Sequence, residues 1–390
     1  MRTILTSDRP QCGSLLGLLI VLAISNCALD ESTAPASSTA LTPTPPTVAL
    51  SADWLNGSVT WLDLGQLITP GGTLDRALIT KVNITTEGQQ GPLQLVPTAD
   101  GRRAVVLLSS GVMAFVGARL GIDTESLPAT GAAVVIMDLE TREILAKFPV
   151  QDTPIMAAID PDSDRVFVSL LGGAATNGSI RVYDLEMLAE VDRAEIAPFV
   201  EGLALNSSGT RGAVIGATTG LYLFDPNNLA GSLSQTPLKL AGDSSGVAFI
   251  AGTDRLVVAN SRNPSNYVVI DASNLATPVV LDEGDAVDEV PFMVSAVPGR
   301  EEVVLPMAGD NWLRLIHLNV SQTPADIIHD VRVPDILTFP QAVTVSPSGR
   351  YAFVGAAASK ELLILDLMTG QVMRHAWFDD LGPTMLAVLP

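Results

Sequence analysis

Short apolar runs alternate with polar turns along the chain, and the stretch Phe339–Gln371 shows this pattern most completely. It contains apolar runs at Ala342–Val345, Tyr351–Gly355 and Leu362–Leu365, separated by a Ser-Pro-Ser-Gly turn and a loop of small residues. Runs of this length, rich in Val, Ile and Leu and bounded by Gly, Pro and Ser, predict β-strands. No window shows a long amphipathic periodicity of 3.6 residues. The pattern therefore predicts an all-β protein.

The same unit recurs along the chain, and a polar residue ends the third run of each unit. Aligning the units on this position gives Asp63, Asp138, Asp184, Asp225, Asp271, His317 and Asp366. From Asp138 onward the successive gaps are 46, 41, 46, 46 and 49 residues. A period in this range, with four short strands per unit, is typical of a β-propeller blade. The seven positions predict a seven-bladed β-propeller.

The two ends of the chain predict how the ring closes. Pro383–Pro390 matches the first strand of a unit, and the other three strands of that unit are missing after it. Three strands without a first strand are predicted near the other end, at Val48–Ala52, Ser58–Leu64 and Ala77–Ile84. We expect one C-terminal and three N-terminal strands to form the last blade, because that pairing removes exposed sheet edges. A single propeller domain is predicted over residues 48–390.

The best-preserved units resemble the YVTN type of bacterial surface propeller. Pro340–Arg350 (PQAVTVSPSGR) resembles the opening of that repeat, with Ser348 where the family usually has Asp, and Leu363–Gly370 resembles its close. Pro154–Leu185 matches nearly as well. The resemblance implies a propeller fold and an exported protein, but it implies no particular activity, since such propellers share an architecture more than a reaction.

Residues 1–27 are predicted to be a signal peptide. Arg2 and Arg9 precede the uncharged run Leu15–Ser25, which is too short to span a bilayer and has the length of a secretory h-region. Ile24–Cys27 resembles a bacterial lipobox, and this resemblance implies that Cys27 is lipidated and becomes the mature N-terminus. The alternative is cleavage after Ser25 by ordinary signal peptidase, which leaves Cys27 as a free thiol.

The segment after Cys27 predicts a tether and a location. Residues 28–47 consist mainly of Ser, Thr, Pro and Ala, which predicts a flexible linker between the anchor and the folded body. Cys12 and Cys27 are the two cysteines of the chain, so no disulfide is predicted in the propeller. By resemblance to bacterial sorting rules, Ala28 after the cysteine implies an outer-membrane lipoprotein, facing the periplasm or the surface. We expect a monomer held at the membrane by its N-terminal lipid.

The composition excludes nucleic acid as a partner. The 390 residues carry a formal net charge of −20, with a pI near 4.4, so phosphate backbones are repelled. The histidines are few: His317, His329 and His375. The last two fall in predicted fourth strands at the outer rim, and no zinc, copper or Ser-His-Asp centre is predicted from them. The recurring aspartates and His317 are interpreted as turn residues, because Asp at such a position accepts hydrogen bonds from its own turn.

The turn Asp160–Asp164 raises the question of a metal. Its three carboxylates, Asp160, Asp162 and Asp164, stand at alternate positions, a spacing that can converge on calcium. The turn lacks the glycine and the distal glutamate of helix-loop-helix calcium loops, and related units have an ordinary hairpin turn there. An acidic hairpin without metal is therefore preferred, and calcium is the one cofactor that remains a candidate.

One face of the predicted ring is acidic. The connections that lead from one blade to the next gather around the channel and carry Glu87, Glu201, Asp243, Asp288, Asp335 and Asp379, together with Asp152, Asp285, Glu289 and Asp380. Converging carboxylates favour a cation or a basic partner, although an acidic protein also shows acids on its average surface. The long segment Val112–Gly131 lies between a second and a third strand, so it emerges on the same face and either overhangs the channel or packs on the ring.

We therefore expect a binding or interaction module of the cell envelope that engages an envelope protein or a small ligand on this acidic face. The sequence contains no G-x-S-x-G, P-loop or dinucleotide motif, and the enzyme question stays open. The alternative is a lactonase-like or other small-molecule hydrolase with acidic residues at the channel mouth.

Overall fold

The computed structural model describes residues 47–69, 74–86, 89, 91–109, 131–161, 164–262, 264–285, 289–308, 312–334, 342–356, 360–377 and 383–389. The chain divides by its contacts into Met1–Pro45 and Pro46–Pro390, and all described residues belong to the second unit. The predicted signal peptide, Cys27 and nearly all of the linker lie outside the described residues and stay predictions. Within the described part, no helix is long and apolar enough to cross a membrane.

The described strands form seven antiparallel sheets. The first sheet combines the two ends of the chain and is blade 7: β1 (Val48–Asp53), β2 (Ser58–Asp63), β3 (Leu78–Asn83) and, from the C-terminus, β28 (Pro383–Val388). Blades 1 and 2 follow in chain order: β4 (Pro92–Pro97), β5 (Arg103–Leu108), β6 (Ala133–Asp138) and β7 (Ile144–Pro149), then β8 (Pro154–Ile159), β9 (Arg165–Leu170), β10 (Ser179–Asp184) and β11 (Ala189–Glu195).

The remaining blades continue in the same order. Blade 3 has β12 (Val200–Leu205), β13 (Gly212–Gly216) and β14 (Gly220–Phe224), and blade 4 has β15 (Asp243–Phe249), β16 (Arg255–Arg262), β17 (Asn266–Asp271) and β18 (Val279–Asp285). Blade 5 has a split first strand, β19 (Val290–Pro291) and β20 (Ser295–Ala296), followed by β21 (Glu302–Ala308), β22 (Trp312–Asn319) and β23 (Asp326–Pro334). Blade 6 has β24 (Ala342–Val345), β25 (Tyr351–Ala356), β26 (Glu361–Asp366) and β27 (Gln371–Trp377). Short helices lie at α1 (Leu64–Ile68), α2 (Leu74–Ala77) and α3 (Leu229–Ser232).

The first strands of the blades form an inner ring, which β28 completes. β28 contacts β24 of blade 6 and β4 of blade 1, and it pairs with β1 so that Ala49 lies opposite Val388. The Thr384 hydroxyl lies 2.9 Å from the carbonyls of both Ala52 and Pro92, which ties the C-terminal strand to its own blade and to the next. The predicted seven-bladed propeller and the predicted closing blade of one C-terminal and three N-terminal strands are both confirmed.

The core lies between the blades. The buried apolar residues of the described chain fall into seven clusters, and each cluster fills one junction between neighbouring blades. Second and third strands are therefore buried on both faces, which explains why they are continuous Val, Ile and Leu runs without alternation. Residues alternate between junctions: Val106 faces blade 7, whereas Val105 faces blade 2.

Two details of the predicted repeat are wrong. Four strands were expected in every unit, but the described part of blade 3 has three, and a single bridge from Leu221 to Leu238 and α3 occupy the outer position. The phase of blade 5 is also displaced, because β22 continues for two residues past His317. Asn319 ends that strand, and its Oδ1 accepts a hydrogen bond from the Ser321 amide as the aspartates do elsewhere. His317 is a buried strand residue and not a turn residue.

The turn face carries arginine contacts that link successive blades. This face consists of the turns between first and second strands and between third and fourth strands. At the start of each second strand in blades 1 to 4, an arginine donates to a carbonyl just after the third strand of the next blade. The pairs are Arg103 with Leu185 at 2.5 Å, Arg165 with Pro226 at 3.1 Å, Arg211 with Ser273 at 3.4 Å and Arg255 with Val320 at 2.8 Å.

Removing the closing strand tests the ring. Deletion of residues 383–390 leaves β1 and the inner side of blades 6 and 1 without partners, so we expect loss of the cooperative thermal transition. Thr384→Val is the milder variant, and it should cost about 1–3 kcal/mol because the single buried hydroxyl that lies between the two carbonyls is lost. Differential scanning calorimetry measures both. A truncated chain that unfolds with the wild-type midpoint would contradict the closure.

The arginine contacts are tested at Arg165. Its Nη2 lies 2.7 Å from Oδ2 of Asp160, which is buried. Removing one partner of a buried ion pair costs about 3 kcal/mol, whereas removing both costs less. We expect Arg165→Met to lower the free energy of unfolding by about this amount and Asp160→Asn/Arg165→Met to recover part of it. Urea denaturation of both variants measures the difference, and equal losses would contradict the pairing.

Candidate functional site

The central channel is narrow and apolar. Its described lining comes from the innermost strands and consists of Leu93, Gln94, Ile155, Met156, Phe292, Met293, Ala342 and Met385, around a free volume of about 20 Å³. Gln94 is the polar member, and its Oε1 accepts a hydrogen bond from the Ala157 amide at 2.6 Å. Met156 packs both on the blade 2–3 cluster and on the blade 5–6 cluster across the channel. This volume holds little more than a water molecule.

The mouth face is the one formed by connections between blades and by loops from second to third strands. Of the six acids predicted as a ligand face, Glu201 and Asp243 are described, and both are half-buried. They stand at corresponding ends of neighbouring innermost strands, β12 and β15, and so lie on the same side of the ring. The other four predicted acids, Glu87, Asp288, Asp335 and Asp379, lie outside the described residues, as do residues 112–130, Asp380 and the side chain of Asp285.

Glu289 belongs to an ion-pair network that the sequence did not reveal. The residue is buried, with Oε2 3.0 Å from Arg314 Nη1 and Oε1 3.5 Å from Arg332 Nη2. Arg314 also makes a two-pronged pair with Asp330, at 2.7 and 2.8 Å, and these bonds raise the pKa of the guanidinium above its ordinary value. The Arg332 guanidinium lies 4.5 Å from the Trp312 ring centroid. Glu289 is therefore neutralised by two arginines and does not contribute a free carboxylate to the mouth face.

One carboxylate of the candidate calcium turn already forms an ion pair. Asp160 is paired with Arg165, as above, and Asp162 lies outside the described residues. Asp164 lines a separate cleft of about 260 Å³ on the turn face between blades 1 and 2, together with Thr98, Asp100, Arg102, Arg103 and Glu186. No group of three His, Cys, Asp or Glu side chains suited to a metal occurs among the described residues. The calcium hypothesis remains a prediction, although Asp160 would have to leave Arg165 to serve it.

The recurring aspartates bind the amides of their own turns. Asp138 Oδ1 accepts from the amides of Glu140 and Thr141 at 2.9 and 2.7 Å, and Asp184, Asp225, Asp271 and Asp366 make similar contacts. Amide donation to the carboxylate lowers the pKa of Asp138 and of Asp271. These carboxylates shape the turns, and they do not converge into a ligand ring.

Asp53 is a buried carboxyl with a pKa raised toward neutrality. It ends β1 and is fully buried, and burial raises its pKa to about 6 against the opposing effect of hydrogen bonds. Ser51 Oγ donates at 2.5 Å, Ser58 Oγ at 3.4 Å, and Thr60 Oγ1 donates as well. Its neighbours in β1 and β2 enclose the carboxyl within the sheet. Asp53 was not predicted from the sequence. The pattern that could have indicated it is an Asp close to Ser and Thr residues within two otherwise apolar strands.

Comparisons with known proteins show the fold. No protein-family model and no curated protein matches the chain. A functionally unknown protein from Desulfotomaculum acetoxidans is similar in structure, with a TM-score of 0.64, 13% identity, and coverage of 88% of this chain and 99% of that chain. A protein of Bacteroides fragilis that has been proposed as a 6-phosphogluconolactonase also has a TM-score of 0.64 and 13% identity, covering 90% and 99%. Hydrazine synthase of Kuenenia stuttgartiensis is similar with a TM-score of 0.55 and 14% identity, covering 73% and 79%. At these identities, the shared feature is the propeller.

The raised pKa of Asp53 predicts how the stability of the protein depends on pH. Because its folded-state pKa lies near 6 and that of an unfolded Asp near 3.8, the folded state binds the extra proton between these values, and stability falls as pH rises through that window. Asn at position 53 cannot titrate. The free energy of unfolding of Asp53→Asn minus that of wild type should therefore be roughly 2–3 kcal/mol larger at pH 7 than at pH 4. Urea unfolding at both pH values measures this difference. Glu143→Gln, an exposed carboxyl in a turn, is the control, and an equal change in both variants would contradict the assignment.

Proposed function

We propose that the protein is an exported, lipid-anchored propeller that acts as a binding module at the cell envelope, through its mouth face. The observation that carries this proposal is the central channel, whose described lining is apolar and encloses a free volume of about 20 Å³. Small-molecule sites commonly occupy about 300–1,000 Å³ and include several converging polar groups. A channel of this size and lining favours the outer surface of the ring as the place for recognition.

The state of the acids supports the same proposal. An enzyme that uses a carboxylate at the mouth needs that group in a closed polar pocket, with its pKa matched to the reaction. Among the described residues, Glu201 and Asp243 are half-buried at strand ends, and Glu289 is held by Arg314 and Arg332. Asp53, the carboxyl with the raised pKa, is enclosed by Ser51, Ser58 and Thr60 and is fully buried. An acidic surface of this kind suits a basic partner better than a hydrolytic reaction.

The alternative is a lactonase-like hydrolase. It is favoured by the structural likeness to the Bacteroides fragilis protein, whose proposed activity is that of a 6-phosphogluconolactonase. The net charge of −20 opposes a phosphorylated substrate, because a negative field repels a phosphate group. The turn-face cleft between blades 1 and 2 is larger than the channel, but two of its charged groups, Asp100 and Arg103, hold a turn and a blade contact. Thr98 Oγ1 binds Asp100 at 2.6 Å, and Arg103 binds Leu185.

Cross-linking from two faces tests the binding proposal. A photo-reactive amino acid at Glu201 or Asp243 should yield a discrete cross-linked envelope protein in intact cells, and the same residue at Glu140 or Glu186 on the turn face is the matched control. The cross-link should weaken at least about threefold at 0.5 M salt, because salt screens the attraction between the acidic mouth face and a basic partner. Cross-links of equal yield from both faces, or none from the mouth face, would contradict the proposal. Hydrolysis of 6-phosphogluconolactone above the buffer rate would favour the alternative.

The anchor is tested separately. Mass spectrometry of the mature N-terminus should find an acylated Cys27, and Cys27→Ser should release the protein from the membrane fraction. A mature chain that starts at Asn26, with an unmodified Cys27, would contradict lipidation and leave the mouth-face proposal untouched.

A further inference from the structure

The junction between blades 5 and 6 contains a pair of neighbouring histidines, of which His317 is buried and His329 is half-buried. His317 on β22 lies directly across from His329 on β23, with ring centroids 5.5 Å apart. His317 is 1% exposed, and its neighbour across the strand, Val304, belongs to the apolar cluster that blades 5 and 6 share. His329 Nε2 reaches the Leu367 carbonyl of blade 6 at 3.0 Å. The two rings therefore belong to the contact surface between the blades.

The hydrogen bonds of His317 determine where its proton lies. Nε2 is 2.8 Å from Oε2 of Glu302, and a carboxylate accepts, so Nε2 carries the hydrogen in the neutral ring. Nδ1 is buried and has no hydrogen-bond partner in the described part of the chain. Protonation of the ring would place a new N–H at Nδ1, where no acceptor meets it. A buried donor without an acceptor is costly, so the closed junction disfavours the charged ring.

The neighbouring charges do not compensate for this cost. Glu302 is the one carboxylate in contact with His317, and it is already paired with Arg300 Nη1 at 3.0 Å. Arg300 also donates to the Gly349 carbonyl of blade 6. Blade 6 presents Asp366, which is paired with Arg350 at 3.0 Å. Burial is the largest influence on His317 and lowers its pKa, outweighing the hydrogen bond with Glu302, while His329 and Arg300 lower it further.

This junction differs from the four junctions before it. There, an arginine at the start of the second strand donates to the next blade, and arginine stays charged at every pH that a cell meets. In blade 5 the corresponding residue is Glu302, and it contacts His317 instead of blade 6. Histidine is the side chain whose charge changes between pH 5 and 8. This junction therefore contains a contact that can titrate, between His317 and Glu302, beside the contact of Arg300 with blade 6, which does not titrate.

We propose that the junction of blades 5 and 6 is an acid-sensitive seam of the ring, at which protonation of His317 loosens the contact between the two blades. The His317 imidazolium and Arg300 would share the carboxylate of Glu302, and the open junction would hydrate the charged ring. Loosening releases β23 from Leu367 and exposes the apolar surface around Val304. The proposal concerns the ring itself and is independent of the partner on the mouth face.

Hydrogen exchange of the full chain at pH 7.5 and pH 5.5, corrected for the intrinsic effect of pH, tests the seam. The protection factors of amides in β22, β23 and β26 should be about tenfold lower at pH 5.5 than at pH 7.5. The reason is that His317 must be neutral in the closed junction, so the equilibrium constant for opening rises tenfold for each pH unit below about 6.5. Peptides at the junction of blades 2 and 3, held by Arg165, serve as the internal control and should change less than twofold. An equal change at both junctions would overturn the proposal.

Two variants separate titration from packing. His317→Gln keeps a donor for Glu302 and cannot titrate, so the acid-induced loss of protection should fall to less than threefold. Glu302→Gln removes the carboxylate that favours the charged ring, so the loss at pH 5.5 should be at least as large as that of wild type. A His317→Gln chain that keeps the full acid-induced loss, or a Glu302→Gln chain that is less sensitive to acid than wild type, would overturn the proposal.

Discussion

Pairing of β28 with β1 is the constraint on which the remaining structure depends. Each blade buries both faces against its neighbours, so a blade is stable only when two other blades flank it. Only a closed ring provides two neighbours for every blade. The closing pair joins Ala49 to Val388, two residues from opposite ends of the domain. Thr384 extends the same contact to blade 1 through the Pro92 carbonyl. Without this pairing, the inner ring would present open sheet edges.

Closure also determines the shape of the centre of the ring. Seven inner strands leave a channel that Met156, Phe292 and Met293 fill from opposite sides, so the residues that line it act as core. The surface that remains is formed by turns and connections, and the two faces differ in chemistry. The turn face is occupied by aspartates that bind their own amides and by arginines that bind the next blade. The mouth face carries Glu201 and Asp243 near the ends of β12 and β15, and recognition is proposed there.

Much of the architecture could be predicted because it depends on local patterns. Strand runs, turn residues and the period of the repeat are properties of neighbouring residues, and the unmatched strand at each end of the chain was enough to predict the closing blade. The errors have specific causes. In blade 5, β22 continues past the aligned position to Asn319, so a histidine that resembled a turn residue is buried. In blade 3, the shortest unit, a helix and one bridge replace the outer strand.

The site was harder to predict because it depends on contacts between distant residues. Glu289 was grouped with the acids of the mouth face, but its two arginines come from β22 and β23, at positions no local pattern connects to it. Asp160 was predicted as a candidate metal ligand, but its carboxylate forms an ion pair with Arg165, five residues later in the chain. Asp53 was overlooked, because only the register of β1 against β2 brings Ser58 and Thr60 to its carboxyl. In each case the strand was predictable and the partner across the sheet or junction was not.

A pair of engineered cysteines tests the closure most directly. Ala49 and Val388 face each other at a position without paired backbone hydrogen bonds, where side chains approach most closely, and neither natural cysteine lies in the propeller. With Cys12 and Cys27 replaced by Ser, the Ala49→Cys/Val388→Cys chain should form an intramolecular disulfide under mild oxidation, visible as linked terminal peptides by mass spectrometry. Ala49→Cys/Ala387→Cys places the two thiols on opposite faces of the sheet and should not form it. Failure of the first pair, or equal linking of both, would contradict a ring closed by β28 and β1.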